Sequence, residues 1–407
     1  MTKFINFFYN FCKVIIKSKF LFKSPKKTNL LIFDNESYET IKNLFNNYNH
    51  EKLIVRKHYI NEVYINFSII FNTLIYYRGN IFSSYLIALI KEINPKVVFT
   101  FIDNSIKFSE LAKRFKKINK KIDFVALQNG TRFELLENQL LYRKKIINTN
   151  PNAKIFIPTL LSFGKNEKVL YKKLNIHVNN IVPVGNLALE NYLDYKKRNK
   201  IKIKKKNQLC LISDHGTWNQ KIEETDSKFV KNYYKLFNFF LRYAYEKKMK
   251  IIICAKRYKL PPNHINFRSS YFFEKKAFIE NVDKKYHKFL FKNLVYRNKK
   301  KFHSYFLMEE SDVVVGTFST LLKDNIFLRN KTFICNTTKN SIYDYPIKSF
   351  CSIKSDDYND FKVRLSEIHK ISNNKYINKL GNNIDYCIHK GEEIKNSIQK
   401  ILNKKIV

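Results

Sequence analysis

The sequence predicts an α/β protein with two parallel-sheet domains. Short apolar segments alternate with helical segments from about residue 29 to residue 184, and the same alternation starts again at residue 208. Between the two series, eight of the eleven residues in 196–206 are lysine or arginine, which indicates an exposed linker. Because strands separated by helices pair in parallel, each series predicts its own sheet.

This pattern divides the chain into four parts. Residues 1–195 form the first domain with an amphipathic helix at its start, 196–206 form the linker, 207–370 form the second domain, and 371–407 form a C-terminal helical segment. Ligands of open parallel sheets bind beyond the carboxyl ends of the strands, so polar residues at those ends are the candidate site. The predicted strands lie at 29–33, 53–55, 96–102, 124–127, 154–157, 181–184, 208–212, 250–254, 294–296, 312–316 and 331–335.

Composition indicates a folded protein with a strongly basic surface. The hydrophobic fraction is 44%, with 36 Phe and 26 Tyr, which argues against a disordered chain. The formal net charge of +42 favours a polyanionic partner, either nucleic acid or an anionic membrane surface. No RNP-like or zinc-finger pattern accompanies the charge, so the membrane surface is favoured and no nucleic acid is expected.

Cysteine and histidine usage argues against a disulfide scaffold and a metal centre. None of the six cysteines forms a C-x-x-C pair, and Cys210, Cys254 and Cys335 lie inside apolar strand-like runs. The nine histidines are scattered along the chain. Reduced cysteines that act as small core residues are typical of the cytoplasm. We therefore expect a cytoplasmic location, no metal site and no cofactor.

The first residues predict contact with a membrane surface. Residues 4–16 are apolar and aromatic, with lysines interleaved from Lys13 onwards. This pattern fits an amphipathic helix at lipid headgroups, and it fits equally a first helix packed on the body of the protein. No run of about eighteen uninterrupted apolar residues occurs, so no spanning helix is predicted. A peripheral position on the inner face of the plasma membrane would use this helix and the basic residues Lys113, Arg114, Lys116 and Lys117.

Segment 312–324 carries the clearest site pattern. A β-branched run ends in a glycine, small hydroxyl residues follow, and a helical pattern then begins. The free N–H groups and the dipole of a new helix make such a junction an anion site. An acidic residue one to two turns into the helix can accept hydrogen bonds from sugar hydroxyls. The predicted donor-binding residues here are Gly316, Thr317, Ser319, Thr320 and Asp324.

Two other strand ends of the second domain supply complementary chemistry. A D-H-G-T turn follows the strand at 208–212, and a lysine–arginine pair follows the strand at 250–254. A lysine or arginine can neutralise a phosphate, and a glycine lets the backbone approach a ligand closely. The candidates are Asp214 and His215 as bases, and Gly216, Thr217, Lys256 and Arg257 in donor binding.

Two strand ends of the first domain are also polar. An aspartate follows the strand at 96–102, and a Q-N-G-T-R turn follows the strand at 124–127. The aspartate is a candidate general base, and the turn is a candidate acceptor-binding segment. These residues are Asp103 for the base, and Gln128, Asn129, Gly130 and Arg132 for the acceptor.

Each candidate also has a purely structural explanation. Asp103 and Ser319 are suitable helix caps, and Asp214 is suitable for a local turn bond. Lys256 belongs to a chain with many surface cations, and the Q-N-G segment is suitable for a tight turn. No Walker-type motif or G-x-G-x-x-G motif occurs, so ATP hydrolysis and dinucleotide binding lack their usual signatures.

With these residues, the chain resembles the GT-B glycosyltransferase fold, in which two Rossmann-like domains face across a cleft. Segment 312–324 is similar to the donor site of that fold, where a Gly/Ser/Thr turn caps a helix against the donor phosphate and an acidic residue holds the ribose. Asp324 stands at the acidic position, where Glu is commoner, and Asn330 stands where Gly is usual.

Three shorter segments resemble bacterial transferases of surface-carbohydrate biosynthesis, which build lipopolysaccharide or capsule chains. These segments are 124–132, 163–167 and 181–186. CDP-glycerol glycerophosphotransferases are related proteins, and they usually carry His where this chain has Asn129.

The resemblance implies a metal-independent glycosyltransferase. It would move a sugar from a nucleotide-sugar donor to a lipid-linked, surface-polysaccharide or lipopolysaccharide acceptor at the membrane. Lys256, Arg257 and the helix start would stabilise the departing phosphate, and Asp103, ahead of Asp214 and His215, would deprotonate the acceptor. The alternatives are a CDP-glycerol-type glycerophosphotransferase, a nucleotide-sugar epimerase of the same fold, and a non-enzymatic nucleic-acid binder.

Overall fold

The computed structural model confirms an α/β protein with two six-stranded parallel sheets. Its described residues fall into two compact units. Unit 1 consists of the described residues within Met1–Asn129, Leu141–Asn191 and His389–Val407. Unit 2 consists of those within Gly130–Leu140 and Tyr192–Ile388. The structure describes residues 18–33, 38–53, 60–119, 121–132, 155–174, 176–214, 227–259, 271–297, 301–338, 344–386 and 393–406.

The sheet of unit 1 has the strand order β3-β2-β5-β6-β7-β8, and β1 pairs with β4 in a separate two-stranded sheet. All of these pairings are parallel. The strands are β1 (Lys19–Leu21), β2 (Leu30–Phe33), β3 (His50–Leu53), β4 (Glu62–Tyr64), β5 (Val97–Thr100), β6 (Asp123–Leu127), β7 (Ile155–Ser162) and β8 (Ile176–Pro183). The helices that begin in unit 1 are α1 (Tyr38–Ile41), α2 (Phe67–Ile75), α3 (Ile81–Ile93), α4 (Ile106–Ile118), α5 (Glu167–Lys173) and α6 (Leu187–Arg198).

The sheet of unit 2 has the strand order β11-β10-β9-β12-β13-β14, again with parallel neighbours. Its strands are β9 (Gln208–Ile212), β10 (Lys250–Tyr258), β11 (Leu294–Arg297), β12 (Val313–Gly316), β13 (Lys331–Asn336) and β14 (Ser352–Lys354). The helices of this part are α7 (Ser227–Glu246), α8 (Tyr271–Asn281), α9 (His287–Asn293), α10 (His303–Glu310), α11 (Thr320–Phe327), α12 (Tyr358–Lys370) and α13 (Asn373–Leu380). A last helix, α14 (Ile394–Ile406), belongs to unit 1.

Both faces of the unit 1 sheet are buried, which explains why its central strands are continuous apolar runs. In β5, Val98 packs into the cluster on one face, while Val97 and Phe99 pack into the cluster on the other. Side chains alternate across a strand, so a strand covered on both faces needs apolar residues at every position. The second cluster includes Ile398 and Leu402 from α14, so the last part of the predicted C-terminal segment 371–407 contributes to the core of unit 1, while α13 belongs to unit 2.

The basic stretch 196–206 has more protein contacts than an exposed linker requires. Its first residues continue helix α6 to Arg198. The Lys196 ammonium lies 2.6 Å from Glu309 Oε2, the Lys205 ammonium donates to the Ser311 carbonyl at 2.7 Å, and Lys206 pairs with Glu310. The sequence composition correctly indicated surface lysines, but it could not identify the carboxylates and carbonyls that hold three of them.

The predicted N-terminal amphipathic helix lies outside the described residues. Within the described part of the chain, every helix is too short or too polar to cross a bilayer. Part of the predicted basic face is engaged locally, because the Arg114 guanidinium donates to the carbonyl of Tyr76, just after α2.

Substitution Leu402→Ala tests whether α14 is part of the unit 1 core. Leu402 is fully buried, so the truncation leaves a cavity and should cost about 2–5 kcal/mol of unfolding free energy. The measurement is urea unfolding followed by circular dichroism. Val363→Ala, at an exposed position of α12, is the matched control and should change the midpoint little. Equal, small effects of the two substitutions would show that α14 does not complete the core.

Candidate functional site

Three neighbouring strands of unit 2 bring the predicted donor residues to one edge of the sheet. Strand β9 lies between β10 and β12. Asp214 follows β9, Lys256 and Arg257 lie near the end of β10, and Gly316 ends β12. Residues separated by more than a hundred positions in sequence therefore cluster as the sequence predicted. His215, Gly216 and Thr217, which were also predicted here, lie outside the described residues.

Asp214 is bound to the start of helix α11. Its carboxylate accepts a hydrogen bond from the Phe318 N–H at 3.0 Å, and the N–H and hydroxyl of Ser319 also donate to it. On the other side, the Asp214 N–H donates to the Tyr233 hydroxyl at 2.8 Å. In this structure the N–H and hydroxyl of Ser319 bind a carboxylate of the protein itself, and donor binding by Ser319 stays a prediction.

The environment of Asp214 changes its acidity. Burial raises its pKa, and this effect exceeds the lowering caused by the Lys256 ammonium and by the hydrogen bonds from Phe318 and Ser319. The Lys256 ammonium lies 3.5 Å from the Asp214 carbonyl oxygen, while much of the Lys256 side chain is exposed. A buried carboxyl beside a lysine at a sheet edge is a common arrangement in functional sites.

The first residues of α11 contact the segment around Gly130. Helix α11 begins after Ser319, whose side chain makes no capping bond and whose carbonyl accepts from the Tyr345 hydroxyl at 2.9 Å. The Thr320 hydroxyl oxygen accepts from the Thr131 N–H at 2.9 Å. A methyl group built on Gly130 would lie 3.6 Å from that oxygen, an ordinary contact. Gly130 and Thr131, which belong to unit 2, thus lie beside the start of α11.

Two hydroxyl groups beside this helix start have no hydrogen-bond partner. Among the buried side-chain polar atoms of the described residues, these are the hydroxyls of Thr131 and Thr317. A buried polar group without a partner costs about 1–3 kcal/mol, so native proteins rarely keep one without a reason. Thr317 precedes α11 by three residues, and the Thr131 N–H donates to Thr320 in the first turn of this helix.

Lys256 and Arg257 are positioned by a buried glutamate that the sequence analysis did not identify. Glu274 on α8 is fully buried. Its carboxylate accepts from the N–H groups of Lys256 and Arg257 at 3.1 and 3.0 Å, and from the Ser213 hydroxyl at 2.5 Å. Burial raises the pKa of Glu274, and this effect exceeds the lowering caused by these hydrogen bonds and by Arg257. An acid inside the aromatic segment 271–281 was the only sequence signal, and helix α8 itself was not predicted.

Gly316 has a packing role. A methyl group at this position would lie 3.1 and 3.3 Å from the two Cδ atoms of Leu322, which is fully buried on α11. The glycine therefore allows α11 to pack closely against the end of β12. Gly316 was predicted to bind the donor. In the structure it lies beneath the start of α11.

Asp324 is buried in this structure. Its Oδ2 accepts from the Tyr305 hydroxyl at 2.8 Å, and the Tyr305 ring stacks on Tyr192 with centroids 4.7 Å apart. Burial and the neighbouring Asp324 carboxylate raise the pKa of Tyr305 far above its ordinary value, so this hydroxyl stays a donor. The carboxylate thus already binds a hydroxyl group, one belonging to the protein. Ribose binding by Asp324 stays a prediction.

In unit 1, Asp103 holds the start of the Q-N-G turn. It is fully buried; Oδ1 accepts from the Asn129 N–H at 3.2 Å, and Oδ2 accepts from the Tyr171 hydroxyl. This geometry gives Asp103 a positioning role for the turn. Its role as a general base, like that of Asp214, stays a prediction.

The side chain of Gln128 also holds the Q-N-G turn from inside the protein. Its side chain donates to Glu167 at 3.0 Å and accepts from the Phe163 N–H at 2.9 Å, so both ends of the amide are used. Asn129 is exposed, whereas Arg132 is buried. Of the predicted acceptor residues, Asn129 is therefore the one whose side chain is best placed to meet a ligand.

The described residues contain no cluster of three or more histidine, cysteine or acidic side chains suitable for a metal ion. The positively charged groups of the unit 2 cluster are Lys256 and Arg257. Burial lowers the pKa of Arg257, partly offset by Glu274.

No protein-family model matches the chain, and the search of curated proteins finds no match. Solved structures match over almost its whole length. A variant of the wall teichoic acid polymerase TagF has a TM-score of 0.50 at 12% identity, covering 94% of this chain and 90% of that one. The UDP-GlcNAc 2-epimerase of Methanocaldococcus jannaschii, solved with UDP-GlcNAc and UDP, has a TM-score of 0.50 at 12% identity, covering 92% and 99%.

Trehalose-6-phosphate synthase OtsA reaches a TM-score of 0.49 at 10% identity, covering 93% of this chain and 99% of its own. Identities this low concern the fold alone. The strand orders and the likeness to the polymerase and the epimerase together lead to one conclusion: the chain has the GT-B fold.

Proposed function

We propose that this chain is a glycosyltransferase that moves a sugar from a nucleotide-sugar donor to a surface-polysaccharide or lipopolysaccharide precursor at the cytoplasmic face of the membrane. One observation carries the proposal: the buried hydroxyls of Thr131 and Thr317 have no partner, and Thr317 follows the end of β12 at the sheet edge where Lys256 and Arg257 lie near the end of β10. Donors in excess beside cations are the chemistry that a nucleotide phosphate requires.

The donor phosphate would bind beside the first N–H groups of α11. Asp214 already takes the N–H groups of Phe318 and Ser319, so the phosphate receives its hydrogen bonds from the hydroxyls of Thr131 and Thr317. Lys256 and Arg257 supply positive charge. As the bond to the sugar breaks, negative charge grows on the phosphate, and fixed cations stabilise it without reorganisation of solvent.

Asp214 would act as the general base. A base works best when its pKa lies near the working pH, and burial moves the pKa of this carboxyl upward from the ordinary aspartate value. Its hydrogen bonds to Phe318 and Ser319 fix the carboxylate beside the proposed phosphate position. Ionised Asp214 would take the proton of the acceptor hydroxyl as that oxygen attacks the sugar carbon and the nucleotide leaves.

Unit 1 would present the acceptor. Asp103 and Gln128 hold the Q-N-G turn from inside, which leaves the Asn129 side chain exposed for recognition. A lipid-linked acceptor at the inner face of the plasma membrane suits a chain with a net charge of +42.

A CDP-glycerol-type glycerophosphotransferase is the second candidate. It would use the same hydroxyls and cations for its phosphate, although proteins of that group usually carry His where this chain has Asn129. The epimerase with similar fold was solved with UDP-GlcNAc and UDP, which makes a third candidate that needs no lipid acceptor. These candidates differ in the donor bound and in the product formed.

A donor panel tests the proposal directly. Isothermal titration with UDP-, GDP-, CMP- and dTDP-sugars and with CDP-glycerol should give binding by a nucleotide sugar. Lys256→Met combined with Arg257→Met should weaken that binding about a hundredfold or more, because hydrogen bonds to a charged group contribute about 1.5–3 kcal/mol each.

The matched control is Lys275→Met with Lys276→Met, which removes the same charge from an exposed part of α8. It should leave the dissociation constant nearly unchanged. Binding of CDP-glycerol alone would favour the glycerophosphotransferase. Failure of every donor to bind, or equal losses in the two double variants, would contradict the proposed site.

Asp214→Asn should lower kcat of sugar transfer to membrane-lipid extracts by about a hundredfold or more, because general-base catalysis contributes that much. The unaltered enzyme should lose kcat/KM as the pH falls through the raised pKa of Asp214, since only the ionised carboxylate accepts a proton. This acidic limb should lie above the ordinary aspartate pKa of about 3.9.

Asp103→Asn is the comparison for this experiment. It should keep the acidic limb and change KM or thermal stability instead, because Asp103 holds the Q-N-G turn. Loss of the limb in Asp103→Asn, with normal turnover in Asp214→Asn, would reverse the assignment of the base.

A further inference from the structure

Helix α2 of unit 1 exposes its apolar side and directs its polar side inward. Its outward residues follow the spacing of a single helix face, and two of them, Phe67 and Leu74, are 83% and 67% exposed. The others on or next to this face are Ile70, Phe71, Ile75, Tyr77 and Ile81. Phe67 and Phe71 stack on each other with ring centroids 6.0 Å apart, so the face is a continuous apolar surface.

The inner side of α2 carries Ile69, which is buried in the core of unit 1, and polar residues with one hydrogen bond to α3. The Ser68 hydroxyl donates to Glu92 on α3 at 2.7 Å, and the Asn72 side chain donates to the Ser68 carbonyl at 2.8 Å. The Thr73 hydroxyl is buried and donates to the Ile69 carbonyl at 2.6 Å. A helix facing water would normally show the opposite arrangement. An exposed apolar surface of this extent indicates an interaction site.

Another exposed aromatic residue, Phe22, extends this apolar surface. The Ile65 N–H donates to the Leu21 carbonyl at 2.8 Å, and the Asn66 side chain donates to the Ser24 hydroxyl at 3.1 Å. These two bonds fix the segment after β1 beside the start of α2. Phe22 lies between them in the chain and is 81% exposed.

Cations border both ends of this apolar surface. Lys23 is exposed next to Phe22, and Arg78 is exposed just after α2. The Lys91 ammonium donates to the Tyr76 hydroxyl at 2.6 Å, and Arg114 donates to the Tyr76 carbonyl. Glu92, an acid on the neighbouring helix α3, is engaged with Ser68 on the inner side of α2.

We propose that the outward face of α2, extended by Phe22 and Ile81, docks the chain on an anionic phospholipid membrane. The apolar side chains would enter the boundary between headgroups and acyl chains while the bordering cations contact lipid phosphates. A second copy of the chain is disfavoured as the occupant, because two surfaces with cationic borders on chains of net charge +42 repel each other. The membrane setting of this inference rests on the proposed function, whereas the exposed apolar surface is independent of it.

Flotation of the full chain with lipid vesicles tests this surface. The probes are vesicles of phosphatidylcholine alone and vesicles with equal parts phosphatidylcholine and phosphatidylglycerol. The chain should float with the anionic vesicles. The triple variant Phe67→Ser, Phe71→Ser and Leu74→Ser should bind at least about tenfold more weakly, because three large apolar side chains no longer enter the lipid.

The matched control removes three exposed apolar side chains elsewhere, with Val169→Ser, Phe272→Ser and Val363→Ser. It should float like the unaltered chain. Both triple variants should keep the far-UV spectrum and the nucleotide affinity of the unaltered chain, so a failure of the proposed donor site remains distinguishable from a failure of this surface.

A second variant covers the case in which serine disturbs folding. Phe71→Trp, combined with Trp218→Phe, leaves one tryptophan on the face, and its emission should shift to the blue when anionic vesicles are added. Three results would overturn the proposal: full flotation of the α2 triple variant, no emission shift at position 71, or a dimer of the unaltered chain that the α2 triple variant alone abolishes. Flotation that depends only on residues 1–17 would give the first two of these results.

Discussion

The site in unit 2 depends on the hydrogen bonds between Asp214 and the start of α11. This carboxylate joins the end of β9 to the Phe318 and Ser319 N–H groups, and it therefore fixes where the helix begins. The same bonds consume part of the positive potential at the helix start. A phosphate at the proposed site would then rely on the neighbouring hydroxyls and on Lys256 and Arg257, which Glu274 positions through their backbone N–H groups.

The arrangement of unit 2 could be predicted from the sequence, because it follows from chain order and strand pairing. A β-branched run, a glycine and a new helical pattern fix the junction at 312–324, and parallel pairing brings the ends of β9, β10 and β12 together. Partners of individual side chains could not be predicted in this way. Glu274 and Thr131 act through contacts between distant segments, and no local pattern distinguishes a buried acid from an exposed one.

Unit 1 illustrates a second limit of sequence patterns. Segment 64–77 is apolar with a few polar residues interspersed, but this pattern does not reveal which side faces the core and which the solvent. In α2, Ile69 is buried in the core and Ser68 donates to Glu92 on α3, so the side with Phe67 and Leu74 faces outward. The Q-N-G turn was recognisable as a strand-end motif, whereas its internal braces, Glu167 and Tyr171, were not.

The central claim is that the unpaired hydroxyls at the start of α11 are reserved for a phosphate. Titration calorimetry and thermal unfolding of Thr317→Val test it together, because the side chain keeps its shape and loses only the hydroxyl. We predict an unfolding temperature that is unchanged or raised without ligand, and a dissociation constant for the bound nucleotide donor that is about tenfold weaker, since a hydrogen bond to a charged group contributes about 1.5 kcal/mol or more. A lower unfolding temperature with unchanged donor affinity would contradict the account.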